Sequence, residues 1–278
     1  MIIHVSGKTR RGKSSLVTAM VLDKYMKYYN SNYTNCCSYI KWQNKTYGRN
    51  LSLPPQRHVV CSNFDITRKY PNMQSYQVSG YTFGTPNQFD ADVKPLIPCG
   101  VYIFDECQRY WDSKEDRHLP PWVTQAFELS GQAYLIIYLI SQRYIRLHPD
   151  IRAIVDLFIY VEKSEHTFIV NGKKVKSDKF LPFGRLVKTE WKGREFEDEG
   201  DIEAYIKSKE NKHLGKPFKY VFHGDIRKHY NPTNYAVNLE DLSKDYRYFD
   251  DVPLSTKRPA SWDNYKKTLT KKDKKEVA

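Results

Sequence analysis

Residues 7–14 read Gly-Lys-Thr-Arg-Arg-Gly-Lys-Ser, directly after the apolar run Ile2-Ile3-His4-Val5-Ser6. The segment satisfies the pattern GxxxxGK[ST] without a mismatch. A phosphate chain needs several backbone N–H groups converging on it. A loop with glycines at both ends allows that approach, because no Cβ stands in the way. The β-branched residues of the first run predict a buried strand ending at Gly7. Leu16, Ala19, Met20, Leu22, Tyr25 and Met26 recur near helical spacing, so residues 14–29 predict a helix whose positive N-terminal end faces the same anion. Taken alone the motif also describes a solvated basic turn; strand, loop and helix in succession are the context it needs. The expected nucleotide-binding residues are therefore Gly7, Lys8, Thr9, Arg10, Arg11, Gly12, Lys13, Ser14 and Ser15. Lys13 would reach the β- and γ-phosphates of ATP, and the Ser14 hydroxyl would ligate Mg²⁺.

Four further apolar runs extend the strand pattern: residues 58–63 (HVVCSN), 100–104 (GVYIF), 133–140 (AYLIIYLI) and 156–161 (DLFIYV). Residues 120–129 predict a short helix with a proline in its first turn. The polar, turn-rich stretch 30–55 reads as an exposed excursion. Strands separated by helical or irregular crossovers imply a parallel sheet covered on both faces. Such a sheet holds its ligand at the C-terminal ends of its strands. One strand ends in Asp105-Glu106, where Asp105 would hold Mg²⁺ through water and Glu106 would activate an attacking water. Another ends in Ser141-Gln142, whose amide would read the γ-phosphate or orient that water. Arg143, Arg146 and Arg152 follow. Arg143 is the candidate to serve a neighbouring subunit's γ-phosphate, and the other two read as surface charge or nucleic-acid contacts.

The pattern changes beyond residue 163. Residues 167–175, with Asn171-Gly172 at their centre, predict a hairpin with a type I′ turn. Residues 186–191 predict another strand and 201–209 a short amphipathic helix. From residue 215 Pro, Asn, Asp and Tyr dominate, and residues 266–278 are Lys-rich with few apolar side chains. The chain thus divides into an ATPase core at 1–163, a C-terminal extension at 164–260 packed on it, and a basic, disordered tail at 261–278. Across the 278 residues, 45 Lys+Arg against 32 Asp+Glu leave a net charge of +13, shared between both halves. That excess suits a nucleic acid or an anionic membrane face as partner, or simply solvates the surface. Tyr25, Tyr28, Tyr29, Tyr33 and Tyr39, mixed with Lys24, Lys27 and Lys41, would either stack on unpaired bases or pack as a helix face. The longest apolar run, 133–140, is far short of the ~18–20 residues that span a bilayer. Lys8, Arg10, Arg11 and Lys13 interrupt any signal-peptide core. Five cysteines without a CxxC, and histidines without ligand spacing, point to a reducing compartment and no zinc.

The segments IIHVSGKTRRGKSS, CSNF, VYIFDECQRYW, YLISQRYIRLHPDIR and DLFIYV occur in an order and spacing that resemble the zonular occludens toxin-like family of filamentous phage assembly ATPases, within the HerA/FtsK type of P-loop motors. The resemblance covers residues 1 to about 160. It implies an α/β, RecA-like P-loop NTPase with a mainly parallel central sheet flanked by helices, to which the residue pattern adds a mixed C-terminal extension carrying a β-hairpin. It further implies Mg-ATP hydrolysis, assembly into a homo-oligomeric, hexameric ring, and extrusion of virions with single-stranded DNA. Phage coat or assembly proteins would be the partners. The roles it transfers fall on Lys13, Ser14, Asp105, Glu106 and Gln142. Two departures are visible. Family members commonly carry a transmembrane helix after the ATPase domain, and no such stretch follows here. Glu128-Leu129-Ser130-Gly131 also stands where basic residues are expected. The expected location is the bacterial host cytoplasm, with membrane contact peripheral or through a partner at the inner face of the inner membrane. A cytoplasmic DNA-packaging motor is the alternative, followed by a small-molecule kinase and an ATP-switched nucleic-acid-binding assembly factor.

Overall fold

The computed structural model of the chain describes residues 1–53, 58–66, 73–78, 80, 83, 100–113, 119–181, 183–208, 211, 213–231, 247–248 and 252–253. The basic tail expected at 261–278 lies outside them. The strands are β1 (Ile2–Ser6), β2 (His58–Ser62), β3 (Asp65–Ile66), β4 (Met73–Gln77), β5 (Val101–Phe104), β6 (Ile136–Ile140), β7 (Leu157–Val170), β8 (Lys173–Ser177), β9 (Arg185–Phe196), β10 (Lys216–His223), β11 (Tyr230–Asn231), β12 (Arg247–Tyr248) and β13 (Val252–Pro253). The helices are α1 (Lys13–Tyr47), α2 (Pro121–Glu128), α3 (Pro149–Arg152) and α4 (Glu199–Lys207). One nine-stranded sheet runs β10-β9-β7-β1-β6-β5-β2-β4, with β8 paired to β7. From β4 to β7 every pairing is parallel, whereas β8, β9 and β10 join antiparallel. This is an α/β fold with a mainly parallel central sheet flanked by helices, in which β6 is inserted between the loop strand β1 and the Asp-Glu strand β5.

Both faces of the parallel part are covered, which is why its strands read as unbroken apolar runs. Alternate side chains serve opposite cores. Ile3, Val5, Ile103, Tyr138 and Ile140 pack under Leu16, Val17 and Met20 of α1. Ile2, Tyr102, Phe104, Ile137 and Leu139 join Val123 and Phe127 of α2 and Ile202 of α4 on the other face. Pro121 stands at the first position of α2, where its missing N–H costs nothing.

Three elements differ from expectation. First, α1 does not stop at residue 29 but continues to Tyr47. The polar stretch weakens the apolar pattern, yet no Gly or Pro interrupts residues 13–47, and the helix ends only where Gly48 takes the left-handed conformation at φ 60°. Second, the separate runs at 156–161 and 167–170 form one strand, β7, so the boundary placed between residues 163 and 164 falls inside a continuous element. A register shift between Val161 and Lys163 bulges that strand against β9. Third, β10 occupies a region whose composition reads as loop. Its alternation still shows, since Phe218 and Phe222 point into the core on either side of exposed Lys219. The hairpin at Asn171-Gly172 has φ 50° and 76°, the two positive values a type I′ turn requires.

Candidate functional site

The loop between β1 and α1 is built from unusual backbone. Gly7 has φ 143°, and a Cβ on it would stand 2.5 Å from the Val161 carbonyl oxygen. Arg10 has φ 62°, and Gly12, the residue that caps α1, has φ 69°. Alternation of left- and right-handed residues turns successive N–H groups inward into an anion-binding concavity. The first helical bond is donated by Leu16 N–H to the Gly12 carbonyl at 2.9 Å. The amides before it have no partner one turn back within the helix. No acidic residue in the first turn competes for that positive end. Lys13 folds back over the loop, with Nζ donating to the carbonyls of Gly7 at 3.0 Å and Lys8 at 3.2 Å. Burial lowers the Lys13 pKa, while Asp105 and Glu106 hold it up. Ser15, buried, donates to the Gly12 carbonyl at 2.9 Å and braces the turn.

Three strand tips meet this loop. Asp105, just past β5, accepts a hydrogen bond from the Ser14 hydroxyl. Desolvation pushes the Asp105 carboxyl up to about 6; the Ser14 bond opposes the shift and neighbouring Glu106 adds to it. Asn63, just past β2, grips the same residue through both backbone groups, donating to the Asp105 carbonyl and accepting its N–H, each at 2.8 Å. Glu106 takes φ 51°, which turns its carboxylate back toward the cleft. There it accepts from Gln142 Nε2 at 3.0 Å and from Gln108. Thr9 in turn donates to Gln142 Oε1 at 3.3 Å, so loop, β6 tip and β5 tip form one chain of hydrogen bonds. Beneath Gln142, the Ser141 hydroxyl donates to the Arg143 carbonyl at 3.0 Å and so accepts from His4 Nε2 at 2.8 Å. His4 is fully buried, and that burial lowers its pKa to about 3, which keeps the ring neutral.

Thr9, Arg10, Gly12, Lys13, Ser14, Ser15, Asp105, Glu106 and Gln142 line a single cleft of about 410 Å³. Of the remaining sequence candidates, Gly7 lies under Lys13 as a hydrogen-bond acceptor. Lys8 and Arg143 open onto a neighbouring cleft of about 690 Å³, which shares Thr9 and Gln142 with the first. Arg11 lies in neither lining and is close enough to Tyr160 to bear on its phenol. Sequence reasoning missed Asn63 and Gln108. Asn63 carried a usable signal, a polar amide directly after an apolar strand, the same signal that singled out Gln142. The donors fit a hard cation: the Ser14 hydroxyl and the Asp105 carboxylate are oxygens already in contact. Among the described residues no group of three or more His, Cys, Asp or Glu could hold a metal unaided. A cation here would complete its shell with water and phosphate, the habit of Mg²⁺. No helix among the described residues is long and apolar enough to cross a membrane.

No protein-family model matches this chain, and no curated protein matches it. Among solved structures, it is similar to the N-terminal domain of zonular occludens toxin from Neisseria meningitidis, at 13% identity over 83% of this chain and 98% of that one, with a TM-score of 0.44. It is also similar to the genome packaging NTPase B204 of Sulfolobus turreted icosahedral virus 2 in complex with ATP-gammaS, at 15% identity over 57% and 73% of the two chains and a TM-score of 0.32. A third similar structure is the flagellar accessory protein FlaH from Methanocaldococcus jannaschii, at 12% identity over 69% and 76%, with a TM-score of 0.31.

Proposed function

We propose that this chain is a Mg²⁺-dependent ATPase that drives the movement of viral DNA or the assembly and extrusion of a filamentous virion. The observation that carries the ATPase reading is the meeting of Lys13, the Ser14–Asp105 pair and the Glu106–Gln142 pair in one cleft. The triphosphate would lie over the loop amides, and the Lys13 ammonium would exchange the Gly7 and Lys8 carbonyls for phosphate oxygens. Ser14 and Asp105 would hold Mg²⁺, which when bound draws negative charge from the phosphoryl oxygens. Glu106 would take the proton of the attacking water. Gln142 fixes one of its carboxylate oxygens, and Thr9 fixes Gln142, so hydrolysis is tied to the position of the loop.

Arg143 is exposed and lines the neighbouring cleft rather than the phosphate cleft. That position favours action on the site of an adjacent subunit in a ring, since an arginine supplied in trans couples neighbouring sites. The viral and DNA-directed part of the reading rests on the motif resemblance and the net charge of +13. A packaging motor without membrane anchoring is the alternative within the same class.

The test is steady-state ATP hydrolysis by the full chain at low salt, with and without single-stranded DNA. Wild type is expected to turn over ATP and to be stimulated by the DNA. Lys13→Ala should abolish turnover, and Glu106→Gln should keep ATP affinity while losing on the order of 10²–10⁴-fold in rate. Unchanged activity in Lys13→Ala would overturn the site assignment.

A further inference from the structure

The phosphate cleft has a second wall. Beyond the loop it is lined by Ser164 and His166 of β7 and by Phe180, in the segment after β8. His166 is buried, held by a 3.0 Å hydrogen bond between Nδ1 and the Thr189 hydroxyl on β9. Phe180 lies nearly flat on the imidazole, with ring centroids 4.0 Å apart and planes 26° apart. Yet Phe180 remains 40% exposed. The imidazole covers one face of the phenyl ring, and both rings line the cleft. Thr189 and the β7–β9 pairing fix the backing ring, while the phenyl ring stacked on it stays partly exposed.

We propose that Phe180, backed by His166, is the stacking platform for the base of the bound nucleotide, and that the ligand is a purine nucleoside triphosphate. This rests on the reading of the loop as the triphosphate site. A nucleotide held there by its phosphates must lay its sugar and base along the rest of the cleft. Phe180 and His166 are the aromatic side chains among the described residues lining it. An exposed phenyl ring gains from being covered by any π-face, and the two-ring face of a purine covers more of it than a pyrimidine. Base–aromatic stacking of this kind changes affinity by roughly 5- to 100-fold on removal of the ring.

The test is equilibrium binding to the full chain, by competition against a labelled non-hydrolysable ATP analogue, with ATP, GTP, CTP and inorganic tripolyphosphate as competitors. Wild type is expected to bind ATP and GTP several-fold more tightly than CTP. Phe180→Ala should weaken ATP and GTP about tenfold and leave tripolyphosphate unchanged, and Phe180→Tyr should restore the wild-type order. If Phe180→Ala leaves ATP affinity intact while Lys13→Ala abolishes it, the loop assignment stands and the platform is wrong. Equal weakening of ATP and tripolyphosphate in Phe180→Ala would also overturn it, since stacking cannot act on a ligand without a base. Failure of wild type to bind either ATP or tripolyphosphate would sink both readings.

Discussion

Asp105 carries two demands that pull against each other. On the proposed reading its carboxyl must be ionised to hold a cation with Ser14, but its surroundings raise its pKa from the usual 3.8 to about 6. The folded state therefore binds a proton more tightly than the unfolded chain, and this residue costs stability as pH rises through the window from about 4 to 6. Asp105→Asn removes that cost while its side-chain carbonyl can still accept from Ser14. The nucleotide-free variant should then be more stable than wild type at pH 7.5, by on the order of 3 kcal/mol. The difference should shrink as pH falls from about 6 toward 4 and vanish only below the unfolded value of 3.8, where the wild-type carboxyl becomes protonated in both states. Thermal melts of both proteins from pH 7.5 to 4 would check this, and a difference independent of pH would show that the carboxylate is not the cause. The residues that would hold phosphate and cation were legible from sequence, because loop and helix start are contiguous and each strand exits into its own polar tip. Asn63 and Gln108 were not singled out. Their role depends on which strand lies beside β5 and how the backbone turns after Glu106, and neither is a local property.

At the scale of elements, β7 decides the geometry of the loop. Its bulge at Val161 brings backbone so close to the loop that the first glycine has no room for a side chain. Gly7 is thus required for contact with its neighbour strand, and on the proposed reading for anion approach as well. The same bulge constrains β9 from the other side, where a Cβ on Gly193 would stand 1.9 Å from the Tyr160 carbonyl oxygen. Gly193→Ala must push β9 off β7 and should cost about 2–3 kcal/mol, read as a lower urea midpoint with an unchanged slope. Wild-type stability in that variant would mean that the two strands separate freely. The long helix teaches a complementary lesson. Periodicity alone ended it near residue 29, but a helix ends where something stops it, and Gly48 is the first residue able to do so.

The nine-stranded sheet takes in strands from both the N-terminal and the C-terminal parts of the chain. β9 pairs along β7 on both sides of residue 163. Phe196 and Ile202 enter the core beneath α2, while Trp191, Phe218 and Phe222 enter the core beneath α1. A fragment of residues 1–163 would expose the unpaired edge of β7 and strip apolar partners from both faces, so it should be insoluble or lack a cooperative melt. Soluble expression with a cooperative thermal transition by circular dichroism would instead establish 163/164 as a domain boundary. The chain's order of strand, glycine loop, helix and carboxylate-tipped strand determined by itself that a glycine-flanked loop leads into a helix and which polar residues flank it. These signals lie within a few residues of one another and follow from backbone sterics and periodicity. Tertiary structure alone decided that β6 lies between β1 and β5, which sets Gln142 against Glu106, and that β7 joins β1, which brings His166 and Phe180 to the loop. Strand neighbours are chosen by the burial of whole faces and by hydrogen-bond pairing across long loops, and no local pattern encodes that choice.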